Sequence, residues 1–457
     1  MDHPLLDEAV RSAIAYIDSL PDRPVGPPAD VDALRTALGA PLTAEGDGNL
    51  TAFQALVAGA EGGIVATAGP RYFGFVNGGS LPVAVAADWL VSAWDQNAAM
   101  HVMTPAVAVI EDVVLGWLRE LLGLPVNGSG AFVTGAQMAN VTGLMAARHQ
   151  VLEQAGWDVE VDGLFGAPPV TVVVGGERHA AVDRALRYLG FGTAGVVPLA
   201  VDDQGALDPS DLARVLGEAD GGPAIVCTQA GNVNTGAFDP IAEVCAIAHE
   251  HAAWVHVDGA FGLWAAASSQ HRHLLEGYEA ADSWAVDMHK WLNAPYDCAV
   301  ALTAHPEAHR AAMAMSAAYL TLGGDREPID WNPEMSRRAR AVPTWAILRA
   351  LGRDGVEDLI VRFCTLAQRA ADQLGAADGV EVLNGVVLNQ VLVRFGDDDD
   401  VTRDVITRVQ EDGTCWVGGT IWQGRAAMRI SVSNWSTTDA DIDRSVEAML
   451  TCFTAAG

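Results

Sequence analysis

Lysine is all but missing from this chain. Of its 27 basic residues 26 are arginine, and the single lysine is Lys290. Positive charge as a whole is scarce, since 58 acidic residues leave a formal net charge of −31. Such an acidic surface repels nucleic acid and anionic membranes, so neither is an expected partner. No apolar run reaches the length that spans a bilayer. Residues 1–20 carry Asp2, Asp7, Glu8 and Asp18 where an export signal has a basic and then an apolar stretch, so none is expected. The six cysteines are scattered, with no CxxC pair. That pattern argues against a disulfide frame or a cysteine zinc site, and for reduced thiols in a cytoplasmic protein without a structural metal.

What is present is a large apolar fraction, 50% of 457 residues, which is too much chain for one core and predicts two or three domains. Residues 1–80 read as a helical segment, with helices over 5–20 and 30–38 joined by a proline-rich extended link. Two helices bury little by themselves, so this segment is expected to pack on the main domain or on a partner subunit. The stretch Gly69 to Gly79, rich in glycine and aromatics, reads as a loop that either lets another backbone approach closely or forms a tight turn. Residues 81–345 are the expected large domain. Within it apolar strands at 170–174, 224–228, 254–258, 283–286 and 298–303 alternate with helical stretches, the pattern of a mostly parallel sheet covered on both faces. Residues 346–457 read as a smaller α+β domain. It opens with a helix reaching 371, weakened at Gly352 and Gly355, and has strands at 380–383, 387–395, 414–421 and 427–432 and a last helix from Asp439.

In such sheets ligands bind beyond the carboxyl ends of the strands. Thr228, Asp258 and Lys290 each follow an apolar strand. Arginine holds an ion pair as well as lysine does, but its guanidinium stays protonated, whereas a lysine amine can be deprotonated and condense with an aldehyde. A chain that uses arginine everywhere else either keeps Lys290 by chance or needs its amine, most simply to anchor pyridoxal 5′-phosphate (PLP). PLP asks for an amine, a phosphate cradle, an anion beside the pyridine nitrogen and a flat group on the ring. Asp258, in His256-Val257-Asp258-Gly259-Ala260, is the candidate anion or else a turn aspartate. Thr134-Gly135-Ala136-Gln137 opens a helix, where free N–H groups can meet an anion. His179 lies between a strand and a helix and either stacks on the ring or is structural. Thr228 and Asn234 are further polar groups within reach of a cofactor.

Together these motifs resemble the group II PLP-dependent amino-acid decarboxylases, the aromatic-L-amino-acid and glutamate decarboxylase-like family. The resemblance covers nearly the whole chain. It rests most firmly on His289-Lys290-Trp291 with the upstream His-Val-Asp-x-Ala, and includes Pro70-Arg71-Tyr72-Phe73, Asp297-Cys298, Ser336-Arg337-Arg338 and Arg429-Ile430. It implies fold type I and a homodimer with a shared active site. The activity implied is removal of the α-carboxylate of an L-amino acid, of aromatic type, to give an amine and CO2. An aldehyde synthase, a transaminase or a carbon–carbon lyase of the same fold is the alternative. By the same resemblance Lys290 anchors the cofactor, Asp258 pairs with its ring nitrogen and His179 stacks on it. Gly135, Ala136 and Gln137 match the phosphate loop, Ala260 belongs to the aspartate motif, and His289 touches phosphate or substrate. Phe75 and Arg429 match substrate-binding positions, with Arg425 a weaker candidate for the second. Tyr319, 29 residues after Lys290 and ahead of a glycine-rich stretch expected to be mobile, matches the tyrosine that protonates the α-carbon. The chain departs from aromatic-specific members at Phe75-Val76-Asn77-Gly78, at Ala99 and in the phosphate loop, where Gly135 and Gln137 replace serines. These changes suggest a wider or more polar pocket.

Overall fold

A computed structural model describes residues 3–26, 30–219, 221–315 and 326–456. Two compact units emerge: Met1–Asn77 with Arg369–Leu383 and Leu392–Gly457, and Gly78–Gln368 with Asn384–Val391.

The first unit begins with α1 (Pro4–Ser19), α2 (Val31–Leu38) and α3 (Asn49–Ala60). The Asp30 side chain caps α2 by accepting from the Asp32 amide. The helix α3 was not expected, because its apolar residues do not sort onto one face. None of the three helices buries a residue, and Leu6, Val10, Ile14 and Ile17 leave an apolar stripe along α1 in the open.

In the second unit α4 (Pro82–Trp94) and α5 (Pro105–Leu121) lead to β1 (Ser129–Val133) and α6 (Ala136–Gln154). Strands and helices then alternate through α7 (Val159–Asp162), β2 (Thr171–Gly175), α8 (Ala180–Tyr188), β3 (Val197–Leu199), α9 (Pro209–Glu218), β4 (Ala224–Gln229), α10 (Ile241–Glu250), β5 (Trp254–Asp258), β6 (Ser283–Asp287) and β7 (Ala299–Thr303). The strands form one sheet in the order β1-β7-β6-β5-β4-β2-β3. All neighbours pair in parallel except β7, which is antiparallel to both β6 and β1. It follows that β1 points the same way as β6. Every residue of β1, β4, β5, β6 and β7 is buried, as unbroken apolar runs require in a sheet covered on both faces. The helix α6 supplies much of that cover, with Leu144, Ala147 and Val151 packed in one cluster with Val172, Val174 and Ile225. Two strands escaped the sequence reading: β1, and the edge strand β3, where Pro198 removes an amide donor from a short segment. The helices α11 (Pro306–Met313) and α12 (Ala341–Gly375) follow, and α12 is interrupted at Gly352, whose φ of +64° is left-handed. Gly355, the other suspected weak point, carries no such break.

The rest of the first unit is a four-stranded sheet, β10-β11-β9-β8, with α13 (Asp399–Asp412) and α14 (Asp439–Ala456). Its strands are β8 (Val380–Val382), β9 (Gln390–Phe395), β10 (Gly418–Trp422) and β11 (Arg425–Ser431). Gln423 and Gly424, with φ of +49° and +78°, make the two-residue turn between β10 and β11. Arg71 staples this unit from inside. It is buried and donates to the carbonyls of Thr414 and Pro21 while pairing with Asp441 at 3.5 Å. The expected α/β class, its mostly parallel seven-stranded sheet, the helical N-terminal segment and the smaller α+β part are all present.

Candidate active site

Because β1, β6, β5, β4 and β2 share one direction, their carboxyl ends line one edge of the sheet. That edge receives Gly135 and Ala136 after β1, Asp287 and Lys290 from β6, Asp258 from β5, Thr228 from β4, and His179 in the turn after β2. The edge is made by topology, since these residues are spread over more than 150 positions of sequence.

Lys290 sits in a turn three residues past β6, and the turn is tied down on all sides. Asn293, with φ of +54°, donates from Nδ2 to the carbonyls of Lys290 and Trp291 and accepts the Gly79 amide on Oδ1 at 2.8 Å. A Cβ at Gly78 would lie 2.1 Å from the Lys290 carbonyl oxygen, so only glycine allows this approach. The Gly78-Gly79 loop therefore does bring one backbone close to another. Trp291 is buried against the rings of Phe261 and Phe363, and the Trp264 indole donates to the Asp287 carbonyl.

The side chain that organises the turn is Asp287, which is 1% exposed. Its Oδ1 accepts the Ala136 amide at the start of α6 at 2.7 Å, its Oδ2 lies 3.2 Å from Lys290 Nζ, and His289 Nε2 is 3.4 Å from Oδ1. Burial pushes the His289 pKa down, opposed chiefly by Asp287. The Cys298 amide donates to His289 Nδ1, so the neutral ring carries its proton on Nε2, toward Asp287. Sequence reasoning did not single out Asp287. The signal that marked Asp258, a carboxylate closing an apolar strand, was available for it too.

Asp258 is 7% exposed. Its Oδ1 accepts the Ala260 amide at 3.3 Å, and its Oδ2 accepts from Asn140 Nδ2 on α6 at 3.2 Å. Asn140 is a second residue that sequence reasoning passed over. Lys290 Nζ stands 6.0 Å from the centre of the Phe261 ring. His179 caps α8, accepting the Ala181 amide on Nδ1, and Gln137 Nε2 donates to the Ala181 carbonyl, which links the phosphate-loop candidate to the His179 turn. Thr228 is buried and its hydroxyl donates to Asp239, and Asn234 donates its amide to Asn232 in the loop beyond β4.

Phe75 and Arg429 belong to the first unit. Phe75 is 60% exposed and stacks on Trp416 at 5.2 Å, with Tyr72 on Trp416 at 5.0 Å. Phe75 and Val76 both have left-handed backbone, φ of +55° and +57°. Arg429 lies on β11 opposite Gly418, and burial pushes its pKa down. Arg425 is exposed and paired with Glu381. Tyr319 lies outside the described residues. Among the described residues no group of three or more His, Cys, Asp or Glu side chains is placed to hold a metal ion, and no helix is long and apolar enough to cross a membrane.

Comparison with known proteins points the same way. The profile of the family described as "Pyridoxal-dependent decarboxylase conserved domain" matches residues 59–395. An aromatic-L-amino-acid decarboxylase of Bacillus atrophaeus is 27% identical over 412 residues, 88% of this chain and 84% of that protein. A cysteine sulfinic acid decarboxylase of Homo sapiens is 29% identical over 328 residues, 70% of this chain and 66% of its own length. Among solved structures, Oryza sativa TDC with PLP and tryptamine superposes with a TM-score of 0.92 at 25% identity, covering 99% of this chain and 97% of that one.

The residues at the sheet edge fit PLP. Lys290 offers the amine and Asp258 the anion. Gly135 lies at the positive end of α6, where a phosphate can be held, and a Cβ there would press to 3.3 Å from His289 Cε1, so only glycine leaves its backbone open to close approach. Bound there, PLP would supply an electron sink for a bond broken at the α-carbon of an amino acid.

Proposed function

The chain belongs to the pyridoxal-dependent decarboxylase family and is a PLP-dependent amino-acid decarboxylase, and from that premise we propose that it acts on an aromatic L-amino acid and releases the amine and CO2. The observation that carries the aromatic reading is Phe75. Two consecutive non-glycine residues, one of them β-branched, are held at positive φ so that an aromatic face backed by Trp416 stays exposed. Strain of about 1–3 kcal/mol per residue persists where the surroundings impose it, and it gathers at ligand contacts. The similarity to an aromatic-L-amino-acid decarboxylase supports the same substrate class.

Each residue then has a role. Lys290 is the covalent anchor, and Asp287 orients its amine and fixes the start of α6. Gly135, Ala136, Gln137 and His289 surround the phosphate, with Thr228, Asn234 and Ala260 as further cofactor contacts. Asp258 holds the pyridine nitrogen protonated, and His179 covers the ring. Phe75 contacts the substrate side chain and Arg429 its carboxylate. Tyr319 returns a proton to the α-carbon. We further propose a homodimer with a shared active site, supported by the apolar stripe that α1 leaves uncovered, and a cytoplasmic location, supported by six free and buried cysteines.

The test is a panel of L-amino acids, aromatic and acidic, with CO2 and organic product followed by mass spectrometry. Aromatic substrates should give CO2 and amine. CO2 only from acidic substrates, including cysteine sulfinate, would overturn the side-chain class. Aldehyde as the main product from wild type, or an unchanged amine-to-aldehyde ratio in Tyr319→Phe, would remove Tyr319 as the proton donor.

A further inference from the structure

Behind Asp258 lies a run of buried polar groups that none of the roles above uses. Asn140, His256 and Ser283 are each 0% exposed and Trp254 is 3% exposed. Trp254 Nε1 is 2.9 Å from Ser283 Oγ, which is 2.8 Å from His256 Nδ1. His256 Nε2 is 2.9 Å from Asn140 Oδ1, and Asn140 Nδ2 is 3.2 Å from Asp258 Oδ2.

The direction of every bond in this run is determined by chemistry. An ionised carboxylate only accepts, so Asn140 must turn its amide nitrogen to Asp258 and its oxygen to His256. His256 Nε2 must then donate. Burial pushes the His256 pKa down to about 4, so the ring is neutral and Nδ1 is an acceptor. The Ser283 hydroxyl donates to it, which leaves its oxygen to accept from the Trp254 indole. Five residues from two strands, β5 and β6, and one helix, α6, thus point their dipoles one way. Such aligned chains polarise each other, and a low dielectric strengthens them. The helix reaches His256 because residue 143, one turn beyond Asn140, is glycine. A Cβ there would fall 2.7 Å from His256 Cε1.

We propose that Asn140 and His256 are positioning residues, the last links of a one-way hydrogen-bond chain from Trp254 that fixes and reinforces the Asp258 carboxylate as the anion holding the PLP ring nitrogen protonated. The proposal rests on the role given to Asp258 above. A purely structural network would stabilise the fold and leave the cofactor's electronics alone.

The experiment separates these possibilities. Wild type, Asp258→Asn, Asn140→Leu, His256→Phe and His256→Gln are loaded with PLP labelled with 15N in the ring, and the nitrogen shift is followed against pH by NMR. Asp258→Asn should lose ring protonation at neutral pH. Asn140→Leu should lower the ring-nitrogen midpoint by roughly one to two units, the equivalent of one hydrogen bond to a charged group. It should reduce kcat roughly tenfold to a hundredfold, with KM changed much less. His256→Phe should move the midpoint in the same direction by less, and His256→Gln, which can still donate to Asn140, should recover part of it. If Asn140→Leu does not fold, Asn140→Ser, too short to bridge to the carboxylate, carries the same expectation. A wild-type nitrogen titration in the Asn140 and His256 variants, with Asp258→Asn altered, overturns the proposal. Retained protonation in Asp258→Asn overturns the earlier reading of Asp258 itself.

Discussion

Acid should weaken this fold through two buried histidines, and His309 isolates the effect. It is 1% exposed, with Nδ1 against the Ser129 hydroxyl and Nε2 against the Trp331 carbonyl, each at 2.9 Å. Ser129 starts β1, whereas the candidate active site lies at that strand's other end, so a change here spares the chemistry. Burial lowers the His309 pKa from 6.5 to about 4 in the fold. A base whose folded pKa is depressed is destabilising wherever only the unfolded chain binds the proton, so stability is intact above pH 6.5 and declines as pH falls toward 4. Near pH 5 unfolding takes up about 0.9 proton at this site, a slope of about 1.2 kcal/mol per pH unit. Between pH 7 and 4.5 the loss amounts to about 2.4 kcal/mol. His256, with the same shift, adds a similar term. Carboxylates titrate over the same range, so the wild-type curve alone is not diagnostic. The assay is urea unfolding of wild type and His309→Gln from pH 7 to 4.5. Glutamine can still donate to the Trp331 carbonyl but binds no proton, so the variant should lose about 2 kcal/mol less than wild type over this range. Curves that stay parallel within about 0.5 kcal/mol would refute the reasoning.

Three further outcomes are expected. Lys290→Arg should keep its charge beside Asp287 yet lose the visible absorbance that borohydride bleaches, and peptide mapping of reduced wild type should find the adduct on Lys290. Asp258→Ala should lower turnover by roughly a hundredfold or more, the scale of one preorganised electrostatic contact. Its loss of stability should be only about 1–3 kcal/mol, from the Asn140 amide left without a partner. Glu111→Gln should destabilise by about 3–5 kcal/mol in urea unfolding. Glu111 is 1% exposed, 2.8 Å from Arg337 and 3.8 Å from Arg326, and its loss strands a buried guanidinium, so the Arg337→Met background should remove most of the effect.

Lys290 was legible as the single lysine of the chain, and Asp258 because a parallel strand buried on both faces reads as an unbroken apolar run, and a polar residue that ends such a run stands out. The strand Trp254–Asp258 was delimited to the residue for that reason. Thr228 shows what the same signal leaves out. It too ends an apolar run, but its hydroxyl turns to Asp239, a partner eleven positions away that periodicity cannot reveal. Asn140, His256 and Ser283 were hidden differently. Each is a polar residue inside an apolar helix or strand, and each is satisfied by a partner 27 or more positions distant, so nothing local distinguishes it. The sequence reading left a gap over 422–426 where the structure has a two-residue turn at Gln423-Gly424, because the left-handed glutamine has no compositional mark.

The buried chain behind Asp258 also has a bearing on where protons travel. Its first member is an indole, which gives up its N–H only under extreme conditions and has no lone pair in the ring plane with which to take one in. A shuttle works by passing each proton on and refilling from behind, and Trp254 offers nothing to refill from. The chain can pull charge toward the ring but cannot conduct. The hydrogen that replaces the departing carboxylate must therefore arrive by a separate route, and solvent-derived deuterium in the amine product would be delivered without passing through β5.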